Sequence, residues 1–128
     1  VSDSLDVLDT KVLNFKVKID VVVDSNQNST AIANVLKRDL AKYFQTKNFQ
    51  IERPIIKSEI MNIIINARGV ISFNSLELTS ASGVISGLKY STNTFNVAAN
   101  TKKGIIFPGK GAMFEMRHPG ADIIINVG

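Results

Sequence analysis

The chain reads as an α+β domain: a β-α-α-β core with two helices packed on one face of a mainly antiparallel sheet, followed by a β-rich C-terminal extension. Three observations carry this. Residues 12–23 alternate apolar and polar side chains with a period of two, and residues 28–45 repeat apolar side chains at steps of three and four. A shorter helical repeat then precedes a second strand at 70–79. Two helices in succession between two strands return the chain so that those strands run antiparallel.

With 128 residues, 45% of them hydrophobic and 20% charged, the chain has the size and balance of one globular domain. Residues 1–11 are polar with scattered apolar positions and read as an incoming linker. The first residue is Val, which suggests a piece of a longer polypeptide or a processed product. No basic segment leads into an apolar block there, so no signal peptide is visible. No apolar run approaches the ~20 residues of a membrane span, and no membrane role is expected. Cysteine is absent, which removes disulfides, a thiol nucleophile and thiolate metal ligands. The formal charge of +4 is spread along the chain without a dense block, as on a solvated surface.

In the first strand Phe15, Val17, Ile19, Val21 and Val23 share a face, and Lys16, Lys18 and Asp20 take the other. Asp24 to Asn28 has turn chemistry. The following helix places Ile32, Val35, Leu36, Leu40, Tyr43 and Phe44 on its inner face, with Asn28, Ser29 and Thr30 as candidate N-caps. A short extended stretch reaches Ile56, since Arg53 before Pro54 is pushed out of helical space. Ser58 is the expected N-cap of the second helix, with Glu59 at its positive end and Ile60, Ile63, Ile64 and Ala67 inward. Gly69 suits a left-handed turn after it. In Val70–Thr79 the apolar parity changes between Ile71/Phe73 and Leu76/Leu78. Either a bulge near Asn74 or Ser75 or burial on both faces would account for it. These elements make residues 12–79 the core and 80–128 its extension. Between 79 and 104 short strand pairs are expected, because a structureless loop of that length is uncommon in a compact domain. Residues 104–108, 113–117 and 122–127 are extended candidates separated by Gly and Pro.

Chemical motifs are few. Gly104 to Lys110 matches the first seven positions of a phosphate-binding loop, but Gly111 stands where a Ser or Thr should reach magnesium. Pro108 has no amide to offer, so a glycine-rich turn is the better account. His118, the single histidine, has no partner at metal-ligand spacing and reads as a turn residue. No Gly-x-Ser-x-Gly elbow is present, and Asp20 and Asp24 read as strand-surface and turn residues. No catalytic residue, cofactor site, metal site or small-molecule substrate is expected. Phe15, Tyr43, Phe44 and Phe73 fall on apolar faces, which leaves few aromatics for base stacking. A basic nucleic-acid-binding α+β module is the second reading, and a small domain of an enzyme the third.

The wording of the elements is more specific than their order. The strand NFKVKIDVVVD leads to the helix TAIANVLKRDLAKYF, and then comes IERPIIKSEIMNIIINARGVISFNSLEL. This resembles the C-terminal part of the baseplate J-like family of contractile tails. The segment NTKKGIIFPGKGAMFEMRHPGADI is similar to the C-terminal domain of the baseplate wedge subunit of T-even-type bacteriophages. There an Asn-Thr-Lys-x-Gly-Ile-Ile-x-Pro stretch precedes a Phe-Glu strand and a Pro turn. The likeness spans residues 9 to 123. It implies a non-catalytic structural protein of the virion, located in the tail baseplate and assembled in the host cytoplasm. Its implied partners are copies of itself and other wedge subunits, in a homo-oligomer or ring. The terminal strands have free backbone groups to offer neighbours, which makes Met113, Phe114, Met116, Ile123, Ile125 and Val127 the candidate subunit contacts.

Overall fold

A computed structural model describes residues 11–46 and 51–128 and has an α+β architecture. The expected linker lies outside the described residues, except that Lys11 already opens strand β1, Lys11–Val23. Along β1, Leu13, Phe15, Val17, Ile19, Val21 and Val23 are buried, as the alternation demanded. The sheet is built around this strand. On one edge it pairs antiparallel with β3, Val70–Ala81. On the other it pairs in parallel with two strands laid end to end: β8, Ala112–Glu115, against Lys11–Asn14, and β9, Ile123–Val127, against Val17–Val21. The main sheet is therefore mixed rather than mainly antiparallel. After β3 the chain crosses back to the start of β1, so both later strands run in the direction of β1. They form the second flank of the main sheet rather than a separate extension.

Helix α1, Ser29–Thr46, starts at Asn28, whose side-chain Oδ1 accepts the amide of Ala31 at 3.1 Å. Ile32, Leu36, Leu40 and Phe44 are buried and Tyr43 is half-buried. Val35 departs from expectation and is 39% exposed. It is rotated by about 100° from Leu36, beyond the edge of the buried stripe. Strand β2, Ile55–Ile56, runs straight into helix α2, Lys57–Ile65. Ile56, not Ser58, is the N-cap, and no side chain caps the helix. The Lys57 amide instead donates to the Gly104 carbonyl at 2.9 Å, so a neighbouring loop does the capping. Ile60 and Ile64 are buried, and Ile63 and Ala67 pack partly against the core. Buried residues of both helices join those of β1 in one hydrophobic cluster.

The parity change in β3 is a bulge. Ser75 faces Asp20 and Phe73 faces Val21, leaving Asn74 as the extra residue. Phe73, Leu76 and Leu78 thus point to the same apolar side. A second shift leaves Ile71 unpaired, and that side chain is 65% exposed instead of sharing the face of Phe73.

The crossover holds two hairpins. Val84–Ile85 (β4) pairs with Leu88–Lys89 (β5) around Ser86-Gly87, with φ of 50° and 81°. Thr101–Lys102 (β6) pairs with Ile105–Ile106 (β7) around Lys103-Gly104, with φ of 52° and 77°. Two consecutive left-handed residues define the tight turn that matches strand twist. Strand β7 also pairs with β2, making a small second sheet ordered β2-β7-β6. A one-turn helix α3, Pro119–Asp122, joins β8 to β9. Edge-on ring contacts tie the layers together: Phe44 to Phe15 at 5.2 Å, Phe15 to Phe114 at 5.9 Å and Phe114 to Phe95 at 5.3 Å.

Candidate interaction surfaces

The phosphate-loop-like stretch lies across the second hairpin. Gly104 is in the turn, Ile106 is buried, Pro108 is buried, and Gly109 and Gly111 have φ of 93° and 73°. The Gly111 amide donates to the Glu52 carboxylate at 3.0 Å. A donor already engaged by a carboxylate is poorly placed to hold a phosphate, and the segment acts as a turn.

His118 forms part of a clasp. Its Nε2 lies 2.9 Å from the Lys89 carbonyl, and its ring stands edge-on to Tyr90 at 5.1 Å. Asp122 is fully buried, and its two oxygens accept the Tyr90 hydroxyl at 2.5 Å and the His118 amide at 3.0 Å. Burial first, and then the bond and charge of Asp122, push the Tyr90 hydroxyl up to about 12. Lys16 Nζ lies 5.6 Å from the centre of the Tyr90 ring. These contacts bind the first hairpin to the α3–β9 corner. Asn14, 1% exposed, does the same for β8. Its amide nitrogen donates to the Glu115 carbonyl at 3.0 Å and carboxylate at 2.9 Å, and its oxygen accepts the Ser91 amide at 2.6 Å. Between the helices, the Tyr43 hydroxyl donates to Glu59 and is held well above the usual range, by burial first and then by that carboxylate. Among the described residues every buried side-chain polar atom has a partner, and no cluster of three or more potential metal ligands occurs. An open groove of about 520 Å³ is lined by Leu78, Thr79, Ser80, Thr94, Phe95, Asn96 and Val97, which include no titratable group.

The candidate contact residues divide by side. Phe114, Met116 and Ile123 are 2%, 8% and 1% exposed and belong to the chain's own core. They have no side-chain surface to give a neighbour, which corrects the sequence expectation for those three. The reason is the parallel pairing with β1, which turns one face of β8 and β9 inward. Ile125 and Val127 pack partly against the same core, and Met113 is half-buried. The terminal strand instead offers Ile124, 43% exposed, and its outer backbone edge, which pairs with no other strand among the described residues. The outer edge of β3 is equally without a strand partner there.

The outer face of the main sheet is arranged in cross-strand rows. Glu77, Lys18 and Ile124 form one; Ser75, Asp20 and Asn126 form the next. Bonds from the Asn126 and Ser75 side chains hold the Asp20 carboxyl below its usual range, with Ser75 Oγ 3.0 Å away. The second sheet has a different character. Its inner row includes Ile55 and Ile106, each 1% exposed, and its outer row is Ile56, Ile105 and Lys102. Phe107 continues that outer side and is 46% exposed. Sequence reasoning left Phe107 unassigned. The signal that bears on it is Lys103-Gly104 between Thr101-Lys102 and Ile105-Ile106, a tight-turn dipeptide that sets which residues alternate outward.

Compared with protein-family models and with curated proteins, the chain matches none.

Proposed function

We propose that the chain is a non-catalytic assembly domain, in which the β-α-α-β unit, with both helices on one face of the main sheet, is the rigid body and strand edges make the contacts. More particularly, we assign it to the baseplate wedge of a contractile-tailed bacteriophage, where it joins copies of itself and other wedge subunits in the virion. The observation that carries the assembly reading is β9: a five-residue strand, IIINV, whose outer edge has no strand partner among the described residues and whose exposed side chains are Ile124 and Asn126. An apolar strand edge with unpaired N–H and C=O groups is a template for another strand unless something covers it. The wedge assignment rests on the wording of the segments from Asn14 to Ile123.

Light scattering across a concentration series tests the reading. The intact chain is expected to form dimers or larger species, and Ile124→Lys, which puts a charge at the edge without touching the core, is expected to weaken them about tenfold or more. A strict monomer at all concentrations refutes self-assembly for this chain. For the wedge assignment, electron microscopy of the parent particle is expected to show this fold in the baseplate; a baseplate without it refutes that assignment.

A further inference from the structure

We propose that the outer face of the β2-β7-β6 sheet is a second docking surface, and that its occupant is the acidic segment 1–10 of a neighbouring copy. This inference rests on the assembly reading above.

The face has an apolar centre and a cationic rim. Ile56 and Ile105 stand opposite each other, Phe107 is 46% exposed beside them, and Lys102 completes the outer row. Lys103 occupies the turn, and the backbone of Lys57 lies at the same end, its amide bonded to the Gly104 carbonyl at 2.9 Å. Among the described residues none of these lysines makes an ion pair. An apolar centre rimmed by polar groups is the anatomy of a protein contact. Two such faces cannot meet each other, because Lys57, Lys102 and Lys103 would oppose their own copies. The occupant must be acidic and carry aliphatic side chains.

Residues 1–10, VSDSLDVLDT, have that chemistry: Asp3, Asp6 and Asp9 alternate with Leu5, Val7 and Leu8, and no cation is present. Three carboxylates meet three ammonium groups, and aliphatics meet Ile56, Ile105 and Phe107. Ten residues reach at most about 35 Å beyond Lys11, enough to touch an adjoining copy. Exchanged reciprocally between two copies the contact closes a two-fold dimer; made head-to-tail it generates a ring or a filament.

Charge exchange tests it in the full chain. Lys102→Glu/Lys103→Glu and Asp3→Lys/Asp6→Lys/Asp9→Lys are each expected to weaken association at least tenfold, and an equimolar mixture of the two variants to recover it. Unchanged association in either variant, or no recovery on mixing, overturns the inference while leaving assembly through β9 intact. If the unaltered chain never associates, the assembly reading falls, and a titration decides the surface by itself. ¹⁵N-labelled Asp3→Lys/Asp6→Lys/Asp9→Lys chain is titrated with a synthetic peptide of residues 1–10. Shifts confined to Lys102, Lys103, Ile105 and Phe107, lost on Lys102→Glu/Lys103→Glu, support the surface, and no shifts overturn it. Stronger shifts of those residues with single-stranded oligo(dT) overturn it in favour of nucleic acid. Resonances at this face that differ between the unaltered chain and the Asp3→Lys/Asp6→Lys/Asp9→Lys variant in a dilute monomer overturn it in favour of the chain's own segment.

Discussion

At Gly69 two separate constraints meet. Its φ is +92°, a conformation in which a side chain is strained, and a Cβ there would lie 2.6 Å from Ile32 Cδ1. Gly69→Ala is therefore expected to destabilise the protein by about 2 kcal/mol or more, read from the midpoint of urea unfolding. Tyr90 gives a pH signature. Its hydroxyl is raised to about 12 in the folded chain, whereas the unfolded phenol titrates near 10. The folded state keeps the proton longer, so this contribution is fully present below about pH 10 and is lost as pH rises toward 12. Tyr90→Phe is expected to flatten that alkaline loss when stability is followed by circular dichroism. Tyr43, also raised, adds a further alkaline loss that the substitution leaves in place. The core side chains Phe15, Val17, Ile19, Leu36 and Leu40 were legible in the sequence because each obeys the period of its own element. The partners of Asn14 and Asp122 were not, because they lie 77 and 32 residues away at Ser91 and Tyr90, and no local period encodes such a pair.

Elements were legible where their punctuation is local. Asn28 caps α1 through its own side chain, and Asn28→Ala is expected to cost about 1 kcal/mol in thermal or chemical unfolding. Ser58 looked like a cap but sits inside α2, exposed and without that duty, so Ser58→Ala is expected to stay within about 0.5 kcal/mol of the parent in the same measurement. What misled the sequence reading there was a tertiary bond, from the Lys57 amide to the Gly104 carbonyl, that makes a side-chain cap unnecessary. In β3 the change of parity between Phe73 and Leu76 announced the bulge at Asn74. The second shift, at Ile71, left no such trace because nothing apolar precedes it on the strand except Val70. Deleting Asn74 is expected to stay within about 1 kcal/mol of the parent in urea unfolding, since without the extra residue Phe73 and Leu76 fall two apart on a regular strand and keep the same face.

For the molecule as a whole, the order of the elements was legible and the closure of the sheet was not. Residues 112–127 carry strand composition, but composition does not say whether they end on an edge far from β1 or beside it. Their place beside β1 makes Phe114 and Ile123 as central as Val17. Removing residues 113–128 is accordingly expected to unfold the chain, with loss of cooperative melting by calorimetry, rather than to leave a folded monomer that has merely lost a contact. The candidate surfaces were legible only in part: the terminal strand was chosen, but which of its faces is spoken for depends on the register with β1.

Among the described strands the one at the middle of the sheet comes earliest, and its parallel neighbours come last. During synthesis the ribosome releases the hub long before the ribbons that flank it. The parallel side of β1 is thus bare until residues 112–115 emerge from the exit tunnel, and incomplete until residue 127 has followed. Partners that recognise a finished β9 therefore meet only chains whose translation has passed that point, so the topology itself sets folding before assembly.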